Sequence, residues 1–400
     1  MSVVLRPGPQ ASRCLHSTAR AYHTAERHSS LVPETWIISK GDAQSDYRST
    51  RVAAALNMPY HVKHTATTWH EYPIIRPFAR LSSLLSKDPP PAANFRHIKD
   101  TTGEFLPRFA IAASKETLPA LLEVRRRTRK RTMTVYLGLP DTKLTNIDAL
   151  VLSRLDQLKL WNLGPGRANL DNAFATILPL SGTTAVPQPL EHRHPSVVVC
   201  IGMGIESTGF RLLSRDVDVL ADGLLTLPSP TQIQIALSAD LHPRLRPMIE
   251  TRLISRLRTM DTGGSTSEPA NTVSVLDYAQ PGQPPLAETL AAASHVVATA
   301  DNIPAVSLAV SLQRPVYIAG EERTTGLLRD YYHLLEKSNL VRRFYPQGSR
   351  YSYMLAPDIS GTPDPFSAIR DHEPWTGYNA QADLDNVVAF IQSRYKEKNN

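Results

Sequence analysis

Cysteine is nearly absent from this chain, whose 400 residues include only Cys14 and Cys200. One lies in a basic leader and the other in an apolar run, so we expect no structural disulfide. No apolar stretch approaches the ~20 residues that a helix needs to span a bilayer, which predicts that the chain is not transmembrane. The nucleophile-elbow, zinc-protease, paired-cysteine zinc and kinase motifs are also missing, so no metal site and no enzyme of those classes is predicted.

Acidic residues are scarce in two segments, and these two segments account for the positive net charge of +7. Residues 1–30 hold four arginines and one glutamate, and Arg125–Arg131 holds six bases and no acid. The rest of the chain is slightly acidic, which argues against a nucleic-acid binder. Because residues 1–30 are rich in arginine, serine and threonine, they are typical of a mitochondrial transit peptide, with a disordered basic tail as the alternative.

The basic run Arg125–Arg131 lies at the end of a predicted helix. There its side chains complement the negative end of the helix dipole and stay solvated. A second interpretation is a contact with an anionic lipid or an acidic partner. The sequence leaves both interpretations open.

Strands alternate with helices along most of the chain, which predicts an α/β protein with two Rossmann-like domains. We expect the first domain at 34–190, where Thr35–Ser39 is its first buried strand. The second is expected at 195–345, where Ser196–Ile201 opens the sheet. Residues 346–400 are predicted to form a tail and a C-terminal helix that packs back on the first domain.

The stretch Ser294–Gly320 reads as strand, sharp loop, short helix and strand. Its first strand runs into Asp301, and Asn302 can cap the helix that follows. An acid at the carboxyl end of a strand, beside the amino end of a helix, lies where α/β proteins bind anionic ligands. We therefore place the candidate site at Asp301 and Asn302.

Two other predicted strand ends extend this candidate site. Gly202 and Gly204 directly follow the strand Ser196–Ile201, so their backbone amides can approach a phosphate. The spacing is not the dinucleotide fingerprint, and a tight turn that needs glycine is the alternative. Ser238 begins the loop after the next predicted strand and joins the same set of candidates.

The motifs TWIISKGDAQSDYRSTRVAAALNMPY, DALVLSRLD, SVVVCIG, IALSADLHP and VVATADNIPAVSLAVSLQRPVYI follow one another along the chain. In order and spacing they resemble the mitochondrial-fission ELM family, a GT-B glycosyltransferase-like group, over most of residues 34–397. The resemblance implies a GT-B-like arrangement with a C-terminal crossing helix. It also implies that Gly41 and Gln44 belong to the family's first loop and that Asp301 is the acid of its T-x-D-S motif.

Several positions depart from the family's pattern. Asn302 replaces the serine of the T-x-D-S motif, and Leu308 stands where a glutamate is usual. In the loop after Ser238, Ala239–Leu241 replaces the arginines and threonine of the family. The loss of two arginines and the gain of an aspartate would turn a loop that attracts phosphate into one that repels it. The loss of the glutamate removes a group that would hold a ribose. We expect a degenerate site.

Two hypotheses follow from the resemblance. The first is a scaffold or adaptor in mitochondrial organisation and fission with little or no catalysis, whose partner is a dynamin-type GTPase or another mitochondrial protein. The second is a glycosyltransferase that binds a nucleotide-sugar in the cleft between the domains, for which no catalytic residue is identified. The protein is expected in the mitochondrial matrix if the leader is cleaved, and on the outer surface if it is not. Asp301→Ala should leave the fold intact if Asp301 only contacts a ligand, whereas lost expression would indicate a structural role.

Overall fold

The structure, a computed structural model, describes residues 35–41, 43–65, 107–162, 170–180, 195–204, 209–225, 227, 230–259, 271–344 and 377–399. The expected transit peptide at 1–30, the connection around residue 190 and most of the tail after residue 345 lie outside these ranges. The domain boundaries therefore stay predictions. Within the described ranges, no helix combines the length and apolar character needed to cross a membrane.

The first sheet has six parallel strands in the order β2-β1-β3-β4-β5-β6. They are β1 (Thr35–Ser39), β2 (Tyr60–His64), β3 (Phe109–Ala112), β4 (Met133–Leu137), β5 (Ala149–Ser153) and β6 (Ala173–Thr176). Strands β1, β3, β4 and β5 are buried over their whole length, as their unbroken apolar sequences predict for parallel strands covered on both faces. The strand order reverses between β1 and β3, as in the flavodoxin-like arrangement.

Helices cover the two faces of this sheet. They are α1 (Ala43–Ala55), α2 (Leu118–Arg127) and α3 (Arg154–Asn162). On one face Val52 and Ala53 of α1 pack with Ile37, whereas on the other face Leu121 and Val124 of α2 join a separate cluster. The two apolar clusters place the core of the domain on both sides of a single sheet.

The second sheet also has six parallel strands, in the order β12-β11-β10-β7-β8-β9. They are β7 (Ser196–Ile201), β8 (Gln232–Leu237), β9 (Thr272–Asp277), β10 (His295–Thr299), β11 (Val316–Ala319) and β12 (Arg342–Arg343). Read from the other edge, this is the strand order of the dinucleotide-binding Rossmann fold, and it reverses between β7 and β10. Neighbouring carboxyl ends at such a reversal leave a crevice for a ligand.

The helices of the second domain are α4 (Ser214–Leu225), α5, α6 (Leu286–Ala292), α7 (Ile303–Ser311) and α8 (Gly326–Lys337). Helix α5 begins as Arg246–Ile249, passes through the π-helical turn Glu250–Ile254 and ends as Ser255–Thr259. Helix α3 of the first domain contacts α8, and Leu155 of α3 lies in the apolar cluster of the second domain. This contact joins the two domains.

The last helix, α9 (Ala380–Asn399), packs on the first domain. Its buried side chains Leu384, Val387 and Ile391 share an apolar cluster with Ile37 and Phe109. The ring of Tyr395 also lies 4.8 Å from that of Phe109, measured between centroids. One face of the first sheet is therefore covered by both α1 and a helix from the other end of the chain.

The predicted fold class, α/β with two Rossmann-like domains and a C-terminal crossing helix, is confirmed. The sequence analysis did not find β6 or β12. Three of the four residues of β6 are partly or fully exposed, and β12 consists of two arginines. Neither carries the buried apolar run that marks the other strands.

Candidate functional site

The crevice of the second domain lies where β7 and β10 end side by side. These strands pair in parallel, with Val197 opposite His295 and Cys200 opposite Ala298, so both end at the same edge of the sheet. The segment after β7 begins with Gly202, and the segment after β10 contains Asp301. Sequence reasoning therefore placed these candidates correctly at one edge, and the structure brings them into contact.

Asp301 is buried, and its carboxylate binds the protein's own chain. One oxygen accepts the backbone N–H of Gly204 at 2.5 Å, and the other accepts the hydroxyl of Thr299 at 2.7 Å. The Thr299 hydroxyl in turn accepts the N–H of Gly202 at 2.9 Å. The two N–H groups that we expected to approach a phosphate thus donate hydrogen bonds within the chain. We call Gly202, Gly204, Thr299 and Asp301 the latch.

The glycines of the latch are needed for this internal packing. A Cβ at Gly202 would lie 2.6 Å from the carboxylate of Asp301. Gly204 has a φ of +74°, and a Cβ there would clash with the side chain of Leu245. This packing agrees with the alternative interpretation of these residues, in which the turn requires glycine.

Asn302 caps α7, as the sequence predicted. Its side-chain oxygen accepts the N–H of Ala305 at 3.3 Å, while Val306 donates its N–H to the Asn302 carbonyl. Pro304, in the first turn, has no N–H to offer. The amino end of α7 thus retains few donors for an anion, although its dipole points into the crevice.

Ser238 directly follows β8 at the same edge of the sheet, and its polar groups are also bonded within the chain. Its hydroxyl accepts the N–H of Asp240 at 3.2 Å, and its own N–H donates to the carbonyl of Ile201. Further along the edge, Arg246 forms two hydrogen bonds with Asp277, at 2.5 and 3.0 Å. The Arg246 guanidinium lowers the pKa of Asp277, so this arginine is already matched by a carboxylate.

Gly41 and Gln44 follow β1, at the strand-order reversal of the first sheet. Gly41 has a φ of +91° and donates its N–H to the Ser39 hydroxyl at 2.8 Å, while that hydroxyl donates to Asp46 at 2.5 Å. Among the residues that the structure describes, a Cβ at Gly41 would meet nothing within 4 Å. Gln44 lies in the first turn of α1, and its side chain is outside the described part of the structure.

Sequence reasoning missed a buried acid at the carboxyl end of β11. Glu321 is 3% exposed, and one of its oxygens accepts a hydrogen bond from Arg343 at 3.2 Å, while Arg343 also binds Glu336 at 2.7 Å. Burial, together with the nearby charge of Glu336, raises the pKa of Glu321 to about 8. The only signal in the sequence was an acidic pair directly after a strand.

Metal ligands do not converge anywhere in the described ranges, where no group of three or more His, Cys, Asp or Glu side chains could hold an ion. The aspartates of the D-x-D sequence in α4 are bound to arginines instead. Asp216 binds Arg323, and Asp218 binds Arg252 at 2.6 Å. Cys200 is a free, buried thiol whose pKa is raised to about 12 by burial, which makes it unreactive.

Comparison with known proteins gives a family and a fold. A sequence model of the family described as Mitochondrial fission ELM1 matches residues 47–359. No curated protein matches the chain.

Among solved structures, S. aureus MnaA with UDP is 9% identical over 91% of this chain and 98% of that one, with a TM-score of 0.51. The UDP-GlcNAc 2-epimerase of Methanocaldococcus jannaschii is 10% identical over 90% of this chain and 99% of that one, with a TM-score of 0.48. At such identities the likeness to MnaA shows the fold alone, which is GT-B-like.

Proposed function

Since the chain belongs to the mitochondrial fission ELM1 family, we propose that it is a mitochondrial scaffold or adaptor in organelle organisation and fission, with little or no catalysis. The family supports the mitochondrial association, and the closed latch supports the loss of catalysis. A dynamin-type GTPase is the partner that the family resemblance suggests. Matrix and outer surface remain the two alternative locations, and the leader distinguishes them.

The latch is the observation that carries this proposal. A phosphate at the end of β7 would need the N–H groups of Gly202 and Gly204, and both are donated to buried acceptors. It would also approach the carboxylate of Asp301, which repels it. The loop at Ala239–Leu241 lacks the arginines of the family pattern, and Arg246, which follows it, is bound to Asp277. Within the described part of the crevice, the N–H groups of Gly202 and Gly204 are therefore not free to bind a phosphate.

A nucleotide-sugar-dependent glycosyltransferase is the second candidate function. It is favoured by the GT-B-like fold and by the position of the crevice at a strand-order reversal, and the MnaA structure contains UDP. In that case Asp301, Asn302, Gly202, Gly204 and Ser238 would line the donor site. Gly41 and Gln44 would face it from the first domain.

Thermal unfolding in the presence of nucleotide-sugars separates the two functions. We expect no change in melting temperature with millimolar UDP-, GDP- or ADP-sugars, because a ligand that does not bind cannot shift unfolding. The variant Ala239→Arg/Leu308→Glu restores two residue types of the family pattern and serves as a matched comparison. A shift of several degrees for the wild-type protein with one nucleotide-sugar would sink the scaffold proposal and establish the transferase.

Location and partner need their own experiment. Import into isolated mitochondria followed by protease treatment gives a cleaved, protected protein if it enters the matrix, and an uncleaved, digested protein if it stays outside. Only the second result is compatible with a cytosolic dynamin-type GTPase, which should then be captured by the full chain. A protected protein that captures no such GTPase would contradict that partner.

A further inference from the structure

The basic run Arg125–Arg131 lies near the amino ends of the strands of the first sheet. Its last residues form the turn that connects α2 to β4, and the N–H of Met133, the first residue of β4, donates to the carbonyl of Arg108, just before β3. This turn is therefore at the amino ends of parallel strands, whereas ligand crevices lie at their carboxyl ends. Whatever contacts the turn does not compete with the crevice.

The turn is a Schellman motif built with long basic side chains. Lys130 donates its N–H to the carbonyl of Arg125 at 2.8 Å, and Arg129 donates to that of Arg126 at 3.1 Å. Arg129 and Lys130 have φ values of +50° and +66°. Such positions are usually taken by glycine or asparagine, because a side chain there is strained. Backbone geometry therefore does not account for an arginine and a lysine here.

Only part of the basic run is neutralised by acids. Arg125 binds Asp148 at 3.2 Å, and Arg126 and Arg127 bind the buried Glu123 at 2.7 and 2.8 Å. The last three bases, Arg129, Lys130 and Arg131, are exposed, and within the described ranges none of them forms an ion pair. We call these three residues the basic turn.

Helix α9 adds a further cation beside the basic turn. The ammonium group of Lys398 donates to the carbonyl of Thr132 at 2.8 Å and to Asp148 at 2.7 Å. Burial lowers the pKa of Lys398, and Arg125 and Lys130 lower it further, while Asp148 opposes them. The acids near the turn are thus shared among several bases, and the surface of this edge is positive.

We propose that the basic turn docks on the anionic lipid headgroups of a membrane surface. Three long basic side chains on one tight turn, with no acidic partner among the described residues, suit a diffuse layer of negative charge better than a ligand that needs one defined geometry. The contact is peripheral, at the amino ends of the strands and not at the carboxyl ends where ligand crevices form. It stands whether or not the crevice binds a nucleotide-sugar.

Vesicle co-sedimentation of the full chain tests this proposal. We expect binding to vesicles with 30% phosphatidylglycerol and not to pure phosphatidylcholine, with a loss of binding at high salt because the charges are screened. The variant Arg129→Gly/Lys130→Asn/Arg131→Gln places favoured residues at the two strained positions, so its fold is retained. Each base contributes about fivefold near an anionic surface, so this variant should bind roughly 100-fold more weakly.

Two controls make the result specific. Arg215→Gln/Arg329→Gln/Lys337→Gln removes the same charge from the exposed surface of the second domain and should bind as the wild-type protein does. Arg129→Lys/Lys130→Arg keeps the charge and should also bind, as a diffuse contact predicts. The proposal is overturned if the basic-turn variant binds like the wild type or if the two triple variants lose binding equally. It is also overturned if poly-glutamate binds the basic turn while anionic vesicles do not, which would identify an acidic protein partner.

Discussion

The charges of the two domains are arranged in opposite ways. At the carboxyl edge of the second sheet, Asp301 and Glu321 point inward and are bound by the protein's own amides, hydroxyl and guanidinium. At the amino edge of the first sheet, Arg129, Lys130 and Arg131 point outward. The buried acids make their contacts within the chain, whereas the exposed bases have no ion pair in the described ranges and remain available to a partner.

This comparison changes the meaning of the resemblance. A family likeness draws attention to the crevice, where Asp301 keeps the acid of the motif. The contacts show that Asp301 binds Thr299 and the loop after β7, so an acid that matches the family's motif does not by itself indicate a ligand. The residues that backbone geometry does not account for, Arg129 and Lys130, lie instead at the amino edge of the first sheet.

Removing the latch carboxylate should have the largest effect. Asp301→Ala leaves the Gly204 N–H and the Thr299 hydroxyl without an acceptor, and each buried, unsatisfied group costs about 1–3 kcal/mol. We expect the free energy of unfolding to fall by about 3 kcal/mol in urea denaturation. Asp240→Ala, an exposed acid at the same edge, should change it by less than about 0.5 kcal/mol. An Asp301→Ala protein as stable as the wild type would instead support a ligand contact.

Glu321 should make stability depend on pH. Its raised pKa means that the folded protein binds a proton that the unfolded chain has released, so the free energy of unfolding falls as pH rises from the ordinary carboxyl range to about 8. Because the titration of Glu321 is coupled to Glu336 and opposed by the charge of Arg343, we expect the free energy of unfolding to fall by an amount on the order of 2 kcal/mol.

Denaturation at pH 5, 7 and 9 measures this effect. Glu321→Gln keeps the shape of the side chain without its charge, so its stability should vary much less with pH. Glu288→Gln, at an exposed position, should retain the slope of the wild-type protein. If the Glu321→Gln protein shows the wild-type slope, another group is responsible for the pH dependence.

The smallest predicted effect is a gain in stability at the basic turn. Arg129→Gly relieves a left-handed backbone and should raise the free energy of unfolding by about 1 kcal/mol, visible as a higher melting temperature. Arg131→Gly removes the same charge from a residue that does not have a positive φ, so it should give no gain. Equal stabilisation by both changes would attribute the effect to charge repulsion and not to the backbone.

The sequence predicted the strands best where they are most buried. The bounds of β1 and β7 agree with the prediction, because a parallel strand covered on both faces requires an unbroken apolar run. Helix α7 was predicted from its Asn302 cap, and that cap is confirmed. The edge strands β6 and β12 carry no such requirement, so their sequences give little signal.

The position of the crevice was predictable, but its contacts were not. Parallel strands bring their carboxyl ends to one edge, which places Gly202 near Asp301 from pattern alone. Whether the carboxylate faces solvent or a loop amide depends on the packing of residues 97 positions apart. Likewise, no local pattern shows that Lys398 joins the basic turn, since its acceptor, Thr132, is 266 residues away.

The late position of α9 in the chain has a consequence for how the protein is made. The first sheet emerges from the ribosome early, but the helix that completes one of its faces follows only after the whole second domain. At about 5–20 residues per second, the separation of 266 residues corresponds to a delay on the order of 10–50 s. During that interval Ile37 and Phe109 lack the apolar partners that α9 supplies, so the newly made first domain presents a surface that a chaperone can bind.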